Sequence, residues 1–290
     1  MHSKNTNTLI ILDIDGVLLP ANPNPDLPYM KRIEYCISLV TVSRAEWGYP
    51  PINKTLLPKD SLDLRETTDL GWLYRLLQKN HLPVYQTLDD PDRQEINLRA
   101  KDIITASVSY YFELMRNLET ETKYELNPGA LRFVQKAVEI GHVIVASGNP
   151  YRIAQDKILR SGLYDLIYGE ANLGQDDFIR GYFLHGEDDW FREHLVYLAK
   201  HKFPNKRYIY VGDRISDLGM VLREKVDGII LPSFDVQTLP IEVKRKIQRE
   251  GKVLLLENFS TPSRLEQAIS FLREDRSSQL ERPKKRVEFA

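Results

Sequence analysis

The chain has 290 residues, 42% of them hydrophobic, enough for one large domain or a domain carrying a substantial insertion. Its 40 basic and 41 acidic residues leave a net charge of −1, which excludes a general electrostatic pull toward nucleic acid or an anionic membrane. A single cysteine, Cys36, excludes an intramolecular disulfide and a cysteine zinc cluster, and inside an apolar helical stretch it reads as a small core residue.

Met1 to Thr8 is polar, and the apolar run behind it, Leu9-Ile10-Ile11-Leu12, is too short for a signal-peptide core or a membrane span. The expectation is a soluble, cytoplasmic protein without a membrane partner. The run itself ends on acids and a glycine, as a buried strand entering a loop does. Four later runs repeat the pattern: His142 to Ala146 before Ser147-Gly148-Asn149-Pro150, Tyr208 to Val211 before Gly212-Asp213, Gly228 to Leu231 before Pro232, and Val253 to Leu256 before Glu257-Asn258. Between them, helical spacing predicts helices over Ala130 to Ile140, Arg152 to Leu163 and Trp190 to Phe203. Strands alternating with helices predict an α/β fold, a Rossmann-like parallel sheet covered on both faces, with the site at the carboxyl ends of the strands.

Residues 20 to 124 break this rhythm. A Pro- and Asn-rich stretch from Pro20 to Pro28 leads into predicted helices over Met30 to Trp47, Thr68 to Asn80 and Arg93 to Leu118. The reading is an inserted, mainly α-helical cap domain at 20–124 on a core formed by 1–19 and 125–272, with a solvated polar tail at 273–290. The cap aromatics Trp47, Tyr49, Trp72, Tyr74, Tyr110, Tyr111 and Phe112 read as packing residues, and Arg44, Arg65, Arg75, Arg93 and Arg99 as solvated helix faces. His142 reads as structural, and no histidine pair has a metal-ligand spacing.

The chemistry is concentrated at strand ends. Asp13-Ile14-Asp15-Gly16-Val17 places two carboxylates two residues apart, which repel unless a proton or cation lies between them, and a hard cation such as Mg²⁺ takes such oxygen ligands. Val211-Gly212-Asp213-Arg214-Ile215-Ser216-Asp217 brings two more acids to the end of another strand. The competing reading is that these acids cap helices. Ser147, with the backbone N–H of Gly148, is placed to hold a phosphate oxygen, although Ser-Gly after a strand is also common in turns.

In this order the motifs resemble those of the haloacid dehalogenase-like superfamily, whose phosphatases carry DxDG[TV] after the first strand, Ser or Thr after a later one, a Lys or Arg, and a GDxxxD-type motif after the next. Asn127-Pro128-Gly129, ahead of the helix leading to Ser147, extends the likeness, and the insertion between the first two motifs resembles the superfamily's C1-type helical cap. The resemblance implies Asp13 as nucleophile through an aspartyl phosphate, Asp15 as general acid and base, and Ser147 on the phosphoryl group. It implies Mg²⁺ bound by Asp213, the Asp13 carboxylate and the Asp15 backbone carbonyl, with Asp217 in support. An acid at Asp15 argues against carbon–halogen cleavage.

One departure is plain. The family's lysine ordinarily begins the helix before the Asp213 strand, and Leu184-His185-Gly186-Glu187-Asp188-Asp189-Trp190-Phe191-Arg192 contains none. His185 stands nearest its place and is the provisional replacement; Arg192, Lys200 and Lys157 are alternatives, each expected at the surface. The implied function is a Mg²⁺-dependent phosphohydrolase acting on a small phosphorylated metabolite, with no nucleic-acid partner. A phosphomutase on the same residues and a catalytically weak binding or regulatory protein are the alternatives.

Overall fold

The computed structural model describes residues 7–20, 28–52, 68–82, 86, 91–117, 124–169, 183–185 (backbone), 193–214, 217, 226–232, 241–242, 245 and 252–273. Strand β1 (Thr8–Leu12) is followed by three helices, α1 (Pro28–Glu46), α2 (Asp69–Leu77) and α3 (Arg93–Asn117). The remainder alternates: α4 (Ala130–Ile140), β2 (His142–Ser147), α5 (Tyr151–Arg160), a short α6 (Tyr164–Tyr168), β3 (Phe183–His185), α7 (Glu193–Lys202), β4 (Arg207–Val211), β5 (Gly228–Pro232), β6 (Val253–Leu256) and α8 (Pro262–Arg273). All five expected strands form. The sixth, β3, falls in a segment expected only to lead into a helix.

The six strands are parallel, in the order β3-β2-β1-β4-β5-β6. The expected Rossmann-like α/β sheet is thus present. β1 lies at its centre and is buried along its whole length, which explains an unbroken apolar run where an edge strand would alternate. Successive side chains still point to opposite faces. Ile10 and Leu12 pack with Phe133, Val145, Ile209 and Phe259 on one side. Leu9 and Ile11 pack with Ile144, Leu195, Val196 and Tyr210 on the other.

The chain leaves β1 toward β2 and later crosses to β4 on β1's other edge. The order of strands therefore reverses between β1 and β4, and a crevice opens at their carboxyl ends. Asp13 and Asp213 each stand just after one of these two strands.

The inserted helices have their own core. Ile33, Cys36 and Val40 of α1 meet Leu70, Leu73 and Leu77 of α2 and Ile96, Ile103 and Tyr111 of α3. Burial raises the pKa of the Cys36 thiol, as suits a packed residue. Trp72, Tyr74 and Tyr111 are buried, and Arg99 lies on an exposed face beside Glu46. Arg44 and Arg75 depart from the expected solvated faces: both are buried. The Arg44 fork is drawn inward because it donates to the carbonyls of Pro50, Leu76 and Gln78, the latter two at the end of α2, where no helical N–H remains to serve them. Arg65 and the tail from 274 lie outside the described residues. No described helix is long and apolar enough to cross a membrane.

His81 follows α2 in a left-handed conformation, φ 51°, and its Nε2 is buried without a partner among the described residues. Burial, then the nearby Arg44 and Arg75, push its pKa down from 6.5 to about 4. The unfolded chain therefore takes up this proton near pH 6.5, whereas the folded chain waits until about pH 4. Over that window the unfolded state binds more protons, and stability falls as the pH is lowered. Urea midpoints of wild type and His81→Asn, measured at pH 7 and pH 5, test this: the wild type should lose more stability between the two, and equal losses would contradict it.

Candidate functional site

The site grows out of the two central strands. After β1 the Asp13 amide continues the ladder, donating to the carbonyl of Val211 at 3.0 Å. The Asp13 carboxylate turns back to accept from the amide of Ile14 at 2.8 Å. The chain then folds tightly: the amides of Leu18 and Leu19 both donate to the carbonyl of Ile14. Gly16 sits in this turn at φ 87°, and a Cβ there would lie 2.0 Å from Asp213 Oδ2, so both backbone shape and space demand glycine. After β4, a Cβ on Gly212 would lie 2.2 Å from Asp217 Oδ2.

These close approaches bring Asp13, Asp213 and Asp217 together. One carboxylate oxygen of each lies within 4.8 Å of the others, and all three residues are buried. Arg214 Nε reaches Asp213 Oδ2 at 3.3 Å, and the Arg214 amide donates to Asp217 Oδ2 at 3.2 Å. Asp217 thus holds the turn after β4 and also belongs to the cluster. Three carboxylates so close in a buried place repel, and an all-oxygen donor set of this kind fits a hard divalent cation.

The carboxylate of Asp15 goes elsewhere. Lys157 Nζ contacts its two oxygens at 2.8 and 2.9 Å, and Asn149 Nδ2 donates to Oδ2 at 2.8 Å. Asn149 Nδ2 also reaches Ser147 Oγ at 2.8 Å, and the Asn149 amide donates to the same oxygen at 3.1 Å. Asp15, Asn149 and Ser147 therefore form one hydrogen-bonded group, with the Lys157 ammonium beside it.

Lys157, expected at the surface, is 1% exposed. The reason is its place in the buried stripe of α5, Ile153, Ala154, Lys157 and Ile158, which faces the sheet and the inserted helices. A lysine set into an apolar stripe is the signal that marks it. His185 occupies β3 in register with Ser147, but its side chain lies outside the described residues, as does Arg192. Lys200 is on α7, its ammonium 5.4 Å from the centre of the Tyr208 ring.

The inserted helices reach this group at two points. The Tyr29 ring lies under the Lys157 ammonium, 3.6 Å from ring centre to Nζ. Burial, then Asp69 and Asp15, raise the Tyr29 phenol well above its usual range, so it stays protonated. The amide of Asp69, first residue of α2, donates to the carbonyl of Gly148 at 2.9 Å. The Asp69 carboxylate is gripped by fully buried Arg32, Nη2 to Oδ2 at 2.6 Å. A third contact lies further out, where Tyr111 donates to Asp156 at 2.6 Å and pairs with Tyr124 at 2.8 Å. Burial, then Tyr124 and Asp156, raise the Tyr111 phenol, and burial moves that of Tyr124 up to about 12 against the lowering effect of its hydrogen bond with Tyr111.

Asn127 holds the loop that carries Asp13 and Asp15. Its Nδ2 donates to the carbonyls of Gly16, Val17 and Leu19 at 2.9, 3.1 and 3.0 Å, and its amide to that of Leu18 at 2.8 Å. The Asn-Pro-Gly stretch read as a helix start is therefore also a clamp on the acidic loop.

A family model for haloacid dehalogenase-like hydrolases matches residues 52–221, a span that includes Ser147, Asp213 and Asp217 and begins after Asp13 and Asp15. No curated protein matches the sequence. Among solved structures, a family IA, variant 3 hydrolase of this type from Entamoeba histolytica is 15% identical with a TM-score of 0.48, covering 91% of this chain and 99% of that one. L-2-haloacid dehalogenase from Xanthobacter autotrophicus is 12% identical, TM-score 0.41, covering 90% and 98%. A hydrolase from Deinococcus radiodurans with bound phosphate and sodium is 13% identical, TM-score 0.39, covering 93% and 97%. Likenesses this distant carry no argument about activity.

The clamp yields a stability prediction. Asn127→Ala leaves the carbonyls of Gly16, Val17 and Leu19 without their shared donor and should cost about 1–3 kcal/mol in urea denaturation. A loss below about 0.5 kcal/mol, the size of an ordinary surface substitution, would show that the loop holds itself.

Proposed function

The chain belongs to the haloacid dehalogenase-like hydrolase family, and from that premise we propose that it is a Mg²⁺-dependent phosphohydrolase cleaving a small phosphomonoester through an aspartyl phosphate on Asp13. One observation carries the reading: two acids two residues apart lie in opposite surroundings. Asp13 sits with Asp213 and Asp217 in a set that calls for a cation, while Asp15 is held by Lys157 and Asn149. Paired carboxyl groups with different environments are how a nucleophile and an acid–base group are told apart.

In this mechanism Asp13 attacks phosphorus, the P–O bond to the alcohol breaks, and the leaving oxygen takes the proton of Asp15. Asp15 then removes a proton from water, which attacks phosphorus, breaks the bond to Asp13 and releases orthophosphate. Mg²⁺ would be held by Asp13 and Asp213, with Asp217 in support and, as the resemblance implies, the backbone carbonyl of Asp15, and would supply positive charge to the phosphoryl group. Ser147 and the backbone N–H of Gly148 bind the phosphoryl group. Lys157 and Asn149 orient the Asp15 carboxylate, and Lys157 brings the positive charge that the resemblance assigns to a lysine further along the chain.

The test is phosphate release from p-nitrophenyl phosphate and a panel of phosphorylated metabolites, with Mg²⁺ and with EDTA. Wild type should turn over only with metal, and Asp13→Asn should fall to background. Lys157→Met should lose about 10²-fold or more in kcat/KM. Folded, metal-loaded wild type that releases no phosphate would leave a binding protein, and isomerisation of a sugar phosphate without release would point to a mutase.

A further inference from the structure

Three buried polar atoms around the junction of α2 with the Ser147–Asn149 loop have no partner among the described residues. Arg32 is fully buried; its Nη2 holds Asp69, its Nε donates to Ser107 Oγ at 3.2 Å, and its Nη1 has no acceptor there. Trp72 follows Asp69 by three positions, so it stands one turn along the same side of α2, and its Nε1 also has no acceptor there. Asn149 commits its Nδ2 to Asp15 and Ser147, which fixes the orientation of its amide and leaves Oδ1 as a buried acceptor with no described donor. The Asp69 amide bonds to Gly148, the residue before Asn149, so these atoms flank one junction. Buried polar groups are nearly always satisfied, so orphans beside a reactive site call for partners that a bound molecule can bring.

We propose that these atoms bind the alcohol part of the substrate, and that this part is hydroxylated: the substrate class is polyol or sugar phosphates. The proposal rests on the phosphomonoesterase reading and deepens it. Two vacant donors and one vacant acceptor match hydroxyl groups, which both accept and donate. A carboxylate only accepts and would leave Asn149 Oδ1 unserved. Its charge would also be uncompensated by Arg32, which Asp69 already balances. A plain alkyl chain would leave all three atoms unpaired.

The experiment measures kcat/KM for Mg²⁺-dependent phosphate release from four matched classes: polyol and sugar phosphates, unsubstituted alkyl phosphates, phosphorylated carboxylic acids and p-nitrophenyl phosphate. Wild type should favour hydroxylated over alkyl substrates by about 10²-fold or more, since a site built to bond hydroxyls strongly rejects analogues that lack them. Trp72→Phe removes a donor that has no partner among the described residues, so its thermal midpoint should stay close to wild type. Its hydroxylated-to-alkyl ratio should fall by about tenfold, mainly through KM. Arg32→Lys keeps a charge beside Asp69 but loses the planar fork, and should lower the same ratio. Asp13-dependent release without discrimination, a preference for the carboxylic acids, or an unchanged ratio in both variants would overturn the inference and leave the phosphomonoesterase reading standing. No release from any class would remove both.

Discussion

Carboxylates do not gather in a protein interior without cause. Asp13, Asp213 and Asp217 lie within 4.8 Å of one another, and all are buried. Burying even one unpaired carboxylate is costly, and three like charges add repulsion to desolvation. The fold imposes the arrangement. β1 and β4 are adjacent and central, so the residues that follow them emerge into the same crevice. The glycines at 16 and 212 let the acidic loops approach to distances that a single methyl group would forbid. Arg214 answers to this charge, with its side chain on Asp213 and its amide on Asp217, while the Asn127 clamp holds the first loop in place through its carbonyls.

Helix α5 connects this core to the inserted helices. Ile153 joins their hydrophobic cluster, and Arg152 lies over the Phe112 ring, 4.8 Å from its centre. Asp156 accepts from Tyr111, and Lys157 lies on Tyr29 while holding Asp15. Residues 152, 153, 156 and 157 occupy neighbouring positions around one helix, so a single surface carries contacts to both regions. Any displacement of the insertion away from α5 takes the Tyr29 ring off the Lys157 ammonium and the Asp69 amide off Gly148. The surroundings of Asp15 and Ser147 are in this sense properties of the assembled pair of layers, not of the sheet alone.

The sheet and the acidic motifs are legible in the sequence because each is local: a short apolar run, then turn residues, then acids. Five of six strands announce themselves this way, whereas β3 has only three residues and no such run. Asp13, Asp213 and Asp217 are brought together as the motifs imply. What stays hidden joins distant parts of the chain. Lys157 meets Asp15 across 142 positions, and Arg32 meets Asp69 across 37, so no pattern within one segment reports either pair. Charge misleads as well. Lys157 and Arg44 read as solvated because isolated charges ordinarily stay in water. Each instead falls within a buried stripe, Ile153, Ala154, Lys157 and Ile158 in α5, and Arg32, Ile33, Cys36, Val40 and Arg44 in α1. A charged residue at the helical spacing of its apolar neighbours is a signal for a buried partner, and that spacing is a property of the sequence alone.

The buried cations also divide by what they serve. Arg44 spends its fork on main-chain carbonyls and finishes a helix end, a structural task that neutral donors would also perform. Lys157 and Arg32 each face one carboxylate, forming two pairs that are close to neutral overall. Between them lies Tyr29, its ring on Lys157 and 5.8 Å from the Arg32 guanidinium carbon. A region built from compensated pairs adds little net charge to that of the acidic cluster. Under the proposed function, a neutral group on the enclosed side of the insertion would be held by directional hydrogen bonds, and the phosphoryl group by the strand ends.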